Sequence, residues 1–273
     1  MKNLILNIFD KFLNTDFYSR LHNLFFGDLE WRIYRLTEHA LQTAKLHERT
    51  FPPFKRKHSG QDIVVVACGP SAADYKPIPG AIHIGVNRAY KYDQIKFNYL
   101  FANDGGPTCR DMINDICEYT GDNCQKFFGI QTPHIAESGR FISDQDAVRA
   151  NALRYHLDNF CKFRGFKSEL AYDLSTQAIG TFGSTVFAAI QFALWTNPKR
   201  LFLVGCDCTA VGHFYKKDEK TFLDIRDLLQ GYSKLKKFAE SHYPYTEIIS
   251  VNPIGLKGVF RDWHQKDGEP MPK

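Results

Sequence analysis

The 273-residue sequence has no long hydrophobic run, and no stretch approaches the ~18 to 20 consecutive apolar residues of a membrane span. It has no strong excess of one charge, with 35 basic against 30 acidic residues and a formal net charge of +5. It contains neither a Walker loop nor a G-x-G-x-x-G fingerprint. Its seven cysteines (68, 109, 117, 124, 161, 206 and 208) are odd in number and show no zinc-ribbon spacing. Reduced thiols are therefore expected, and a structural metal is not. The apolar residues after Lys2 are interrupted by Asp10 and Lys11 before any small-residue cleavage site, so no secretory leader is expected. Internal repeats and low-complexity tracts are missing too. A composition of 44% hydrophobic and 24% charged residues excludes collagen, coiled coil and disorder.

What remains is one sizeable globular domain with an appendage, or at most two small domains. Phenylalanine is abundant, at 23 residues, so the core is expected to be large and aromatic. Residues 1–60 hold ten Lys/Arg against six Asp/Glu, a balance of +4, and the rest of the chain is nearly neutral. A nucleic-acid-binding core does not have that distribution. Leu4, Ile5, Ile8, Phe9, Phe12, Leu13, Phe17, Leu21, Leu24 and Phe25 recur at helical spacing, and a second helical pattern follows over 29–48. Residues 51–60 then read as a linker. A helical appendage over residues 1–60 suits three roles: docking on the main domain, pairing with a second copy, or peripheral membrane contact through residues 1–57, which include the Lys55-Arg56-Lys57 run.

From Gln61 the texture changes. Asp62–Ala67 is a continuous β-branched run, as in a strand covered on both faces. Strands are also expected over 81–86, 97–102, 126–130 and 200–205, with a last one over 247–251. A helix is expected near 144–158 and another over 222–241. Val186 to Trp195 carries no charge and reads as a buried helix, with Ser184 or Thr185 as its N-cap. Strands alternating with helices predict a Rossmann-like open, mostly parallel α/β sheet over 61–273, with helices on both faces.

In such a sheet, ligands bind beyond the carboxyl ends of the strands. Polar or glycine-rich residues stand at each expected end: Cys68-Gly69-Pro70-Ser71, Asn87-Arg88, Asn103-Asp104, and Cys206-Asp207 leading to Gly212-His213-Phe214-Tyr215. Gly183-Ser184-Thr185 joins them at a helix start, where free N–H groups and the positive dipole end favour a phosphate. Gly-Pro-Ser is also an ordinary turn, and Gly183 also suits close helix packing. His213 is the histidine best placed for proton transfer, since a neutral imidazole accepts a proton from an acceptor hydroxyl. Asp207 suits three roles, nearly level and in this order: capping a turn, orienting His213 or holding a metal.

Val64-Val-Val-Ala-Cys-Gly-Pro-Ser71, Gly85-Val-Asn-Arg88, Gly183-Ser-Thr-Val186 and Leu203-Val-Gly-Cys-Asp207 together resemble the bacterial CMP-sialic-acid-dependent sialyltransferases. The tail, with Gly205-Cys-Asp207, Gly212-His-Phe-Tyr215, Tyr232, Lys236, Ile249-Ser-Val-Asn252 and Val259-Phe260, is similar to the 6-hydroxymethylpterin diphosphokinase-like family of glycan-locus proteins. The first resemblance implies a glycosyltransferase that moves sialic acid or a Kdo-like sugar from a CMP-sugar donor to a glycolipid or surface polysaccharide, with no further cofactor. Gly69, Pro70, Ser71, Asn87, Arg88, Asn103, Asp104, Gly183, Ser184 and Thr185 are then the donor-binding candidates. His213 is the base, with Asp207 beside it, and Tyr215 or Arg88 steadies the departing phosphate. The expected location is cytoplasmic, at the inner face of the cell membrane. The second resemblance implies Mg-dependent pyrophosphate transfer to a pterin-like alcohol, with Asp104 and Asp207 as the acids. A non-catalytic nucleotide-binding partner in glycan assembly is the third reading.

Overall fold

A computed structural model describes residues 33–121, 123–132, 139–158, 168–209, 211–220 and 225–272. The expected helix over 4–26 lies outside them. Chain order gives α1 (Ala40–Thr50), which continues from a π-helical turn at Arg35–His39, then β1 (Asp62–Val66), β2 (Ile82–Val86), β3 (Tyr99–Ala102), α2 (Arg110–Glu118) and β4 (Gln125–Ile130). Next come α3 (Asp144–Ala150), β5 (Ala152–Asp158), β6 (Ile179–Gly180), α4 (Val186–Trp195) and β7 (Arg200–Val204). A hairpin of β8 (Val211–His213) and β9 (Lys216–Lys220) precedes α5 (Ile225–His242), β10 (Glu247–Val251) and β11 (Arg261–Trp263).

The strands form one nine-stranded sheet in the order β11-β10-β7-β1-β2-β3-β4-β5-β6, with every pairing parallel. This is an open α/β sheet of Rossmann-like type. Side chains alternate between faces along a strand, and both faces of this sheet are covered. Ile63 and Val65 join the core under α4 and α5, while Val64 and Val66 join the one under α2 and α3. That double burial is why β1 reads as an unbroken apolar run. The first core is aromatic: Phe101 stacks on Phe127 at 4.6 Å between centroids, and Phe192 of α4 lies 4.9 Å from Phe127.

All ten residues of α4 are buried, which explains its lack of charge. Its one polar member, Gln191, donates to the Gly180 and Phe187 carbonyls at 2.7 and 2.8 Å and accepts from the Ala171 N–H at 2.7 Å. A buried amide is tolerated when its bonds are made in this way.

Three expectations change. The helix expected over 144–158 stops at Ala150, because Asn151 turns left-handed (φ 50°), and the remainder is β5, paired with β4 in register Phe127↔Leu153. The strand over 247–251 is not the last, since β11 adds to the sheet edge. Residues 51–60 do more than link, because Phe51 and Phe54 are core residues. Of the helical pattern over 29–48, the described part is helical and runs on to Thr50, with Thr43, His47 and Thr50 buried against β5. Among the described residues, no helix is long and apolar enough to cross a membrane.

Candidate functional site

Strand order decides where the site lies. From β1 the sheet grows in one direction through β6, and the chain then returns to the other flank of β1 as β7. At such a reversal a crevice is expected at the carboxyl edge of the sheet. A cleft stands there, with about 650 Å³ of free space counting its mouth.

Its walls come from six segments. The β1 loop supplies Cys68, Gly69 and Pro70, and β2 ends in Val86 and Asn87. The start of α4 supplies Ser184 and Val186. Asp207, Cys208 and Thr209 follow β7, and Gly212 and His213 come from β8. Leu228 and Tyr232 of α5 close the apolar side. Two non-glycine residues in this wall are left-handed, Asn87 (φ 53°) and Cys208 (φ 49°), a conformation that persists only where its surroundings enforce it. The Asn87 Oδ1 is buried and accepts no hydrogen bond. Such an orphaned acceptor calls for a ligand donor or an ordered water.

The loops after β1 and β7 are locked together. The Gly69 N–H donates to the Gly205 carbonyl at 2.9 Å, and the Ala67 N–H to the Val204 carbonyl at 2.8 Å. Ser71 donates twice to Asp207, from its backbone N–H to Oδ2 at 2.7 Å and from its hydroxyl to Oδ1 at 2.5 Å. Burial pushes the Asp207 carboxyl above its ordinary value, and the two Ser71 hydrogen bonds pull the other way. Asp207 thus clamps these two loops, a role outside the three that the sequence leaves open. Gly69 is a glycine for the same reason: a Cβ there would lie 2.4 Å from the Gly205 carbonyl oxygen and 2.5 Å from Asp207 Oδ2.

His213 is held at the cleft by its hairpin, whose Phe214 N–H donates to the Cys68 carbonyl at 3.0 Å. Tyr215 stacks on His213 at 5.1 Å with the planes 10° apart, and Lys91 Nζ stands 5.2 Å above the Tyr215 ring. Burial pushes the thiols of Cys68 and Cys208 up to about 12, which keeps them protonated and weakly nucleophilic.

The sequence candidates thus divide. Gly69, Pro70, Asn87, Ser184, Asp207 and His213 line the cleft, whereas Ser71 lies behind it and Tyr215 backs His213. Gly183 is exposed, with φ +80° and nothing within 4 Å of an added Cβ. Thr185 is the residue that precedes α4, but no side chain caps that helix well: Thr185 makes no capping bond, and the Ser184 hydroxyl receives the Val186 N–H only at 3.4 Å. Arg88, Asn103 and Asp104 are outside the lining. Arg88 pairs with Asp111 at 2.6 Å, and Asp104 pairs with Arg140 at 2.5 Å. The Asn103 Oδ1 accepts from the Tyr155 hydroxyl. Val86 and Leu228 were not marked by the sequence, and Tyr232 entered only through a resemblance. An apolar strand end and an apolar helix stripe look like core, and here they are core and wall at once.

Among the described residues, no three His, Cys, Asp or Glu side chains are grouped to hold a metal. The acids that a magnesium ion would need are committed elsewhere: both Asp207 oxygens to Ser71, and Asp104 to Arg140 and the Gly106 N–H. Among the described residues, these acids do not fit that ion. Compared with protein-family models and with curated protein sequences, the chain matches none.

Proposed function

We propose that this protein is a glycosyltransferase that moves an acidic sugar, sialic acid or a Kdo-like ulosonic acid, from a CMP-linked donor to a glycolipid or surface-polysaccharide hydroxyl. The observation that carries the reading is a single cleft that gathers Asn87, Ser184 and His213 from three distant segments at the reversal point of the sheet. Asn87 offers its unpartnered Oδ1 to a donor N–H or hydroxyl of the nucleotide. Ser184 and the N–H groups opening α4 receive the phosphate, aided by the positive end of the helix.

His213 accepts the proton of the acceptor hydroxyl as its oxygen attacks the anomeric carbon. The bond from that carbon to the phosphate oxygen breaks, and CMP leaves with the electron pair. Tyr215 keeps the imidazole in place by stacking on it. Pyrophosphate transfer is the weaker reading, because Asp104 and Asp207 would have to leave their present partners first. We place the reaction at the inner face of the cell membrane, where a glycolipid acceptor is presented.

A thermal-shift panel with CMP, CDP, UDP, GDP, ATP and AMP, with and without Mg, tests the reading. CMP at about a hundred times its Kd should stabilise the protein by ~2.7 kcal/mol, without need of Mg. Stabilisation by ATP with Mg and none by CMP would overturn it.

A further inference from the structure

A second cleft lies at the opposite end of β7. Asn197 precedes that strand and lines this cleft, whereas Asp207 follows the strand and lines the candidate active site. The five residues of β7 separate the two by ~17 Å at ~3.3 Å per residue. The cleft holds about 600 Å³ of free space counting its mouth.

Its walls are aromatic and its rim is cationic. Tyr172 is 57% exposed and leans on His242, with ring centroids 4.6 Å apart. Lys55 Nζ stands 4.6 Å over the Trp195 ring. Arg56 is exposed and left-handed (φ 57°), and its guanidinium pairs with no carboxylate among the described residues. The one acid in the lining is Asp173, whose Oδ1 already receives the Ser175 N–H and hydroxyl at 2.9 and 2.5 Å. The carbonyl end of α4, which would repel an anion, is covered: the Trp195 and Thr196 carbonyls accept from the Arg56 and His58 N–H groups at 3.0 and 3.1 Å.

We infer that this cleft binds an acidic saccharide. An exposed aromatic face suits the C–H face of a sugar ring. Two cations facing one acid already engaged within its own loop suit a carboxylate or phosphate on that ring, and a guanidinium suits it best because it bonds two oxygens at once. The ligand class follows from the lining alone, without the transferase reading. The distance from His213 makes the bound sugar a point of attachment and not a reactant.

Saturation-transfer NMR on the full chain tests this, with CMP present to fill the other cleft. The probes are glucuronic acid, N-acetylneuraminic acid and glucose 6-phosphate, against glucose and inorganic phosphate. The acidic sugars should bind more tightly than glucose. Arg56→Gln and Tyr172→Ala should each weaken them about tenfold, with unchanged melting points because both side chains are exposed. The inference fails if no acidic sugar binds, or if both variants bind them like the wild type. It also fails if inorganic phosphate displaces them at equal concentration, which would reduce the cleft to a bare anion site. A protein that ignores CMP but shows the Arg56 and Tyr172 effects would sink the transferase reading and leave this one standing.

Discussion

Ser71 and Asp207, 136 residues apart in sequence, hold each other through two hydrogen bonds that tie the loop after β1 to the loop after β7. Both loops are among the glycine-rich and polar turns that the sequence offers as ligand contacts. Their first task is to bond to each other. Only then does the cleft between them have a fixed shape for Asn87, Ser184 and His213 to line.

Asp207→Asn should be well tolerated. The amide oxygen takes over the Ser71 N–H, and its NH₂ donates to the Ser71 hydroxyl oxygen, so stability in urea should fall by less than about 1 kcal/mol. Asp207→Ala leaves two Ser71 groups unpaired in a buried place, at about 1–3 kcal/mol for each. An Asn variant of normal stability with no transfer activity would assign Asp207 to the chemistry instead.

The two loop glycines should behave differently. At Gly69 a methyl group collides with the Gly205 carbonyl and the Asp207 carboxylate. Gly69→Ala should therefore cost about 1–3 kcal/mol and weaken CMP binding together with stability. Gly183→Ala meets nothing and pays only for a left-handed alanine, about 1–2 kcal/mol, with CMP affinity nearly unchanged. Calorimetry on both variants separates the effects, and equal loss of CMP affinity in both would contradict this.

His47 predicts an acid limb in stability. It is fully buried, with Nδ1 on the Leu174 carbonyl at 3.0 Å and Nε2 receiving the His156 N–H at 2.8 Å, so the ring is neutral with its proton on Nδ1. Burial first, and then the neighbouring His156, push it down to about 3. An unfolded histidine titrates near ~6.5. The unfolded chain therefore binds the extra proton first as pH falls, and the stabilisation that is complete above ~6.5 is lost progressively toward 3. Relative to His47→Gln, the wild type should lose up to about 1.4 kcal/mol per pH unit in that window. Parallel stability curves for the two proteins would show that His47 does not titrate this way.

His213→Ala should lower sugar transfer by ~10² to 10⁴ while CMP affinity changes little, because a base acts on the acceptor and not on the nucleotide. Tyr215→Phe keeps the stacked ring and should retain most of the rate. Activity within a fewfold of wild type in His213→Ala, together with a lower melting point, would make the histidine a brace for the hairpin.

Most strands and α4 were legible because a parallel sheet buried on both faces writes unbroken apolar runs, such as Ile63 to Val66, and a fully enclosed helix excludes charge. β5 was not legible although Arg154 and His156 alternate with buried Tyr155 and Leu157, because it follows a helix directly and the helix-ending turn at Asn151 left no glycine or proline to mark the boundary. β11 is three residues long and carries Arg261 and Asp262, too short and too polar for any periodic signal.

The sequence by itself determined the class of sheet, the buried helix after Gly183 and the set of polar turns at the strand ends, because each depends on the period and content of a few neighbouring residues. Tertiary structure alone decided what those turns do. Asn87 and His213 face a cleft, Ser71 and Asp207 clamp it, and Asn103 and Asp104 turn away to Tyr155 and Arg140. The difference lies in hydrogen bonds between segments far apart in the chain, and in a reversal of strand order between β1 and β7. No local pattern of residues encodes either of these.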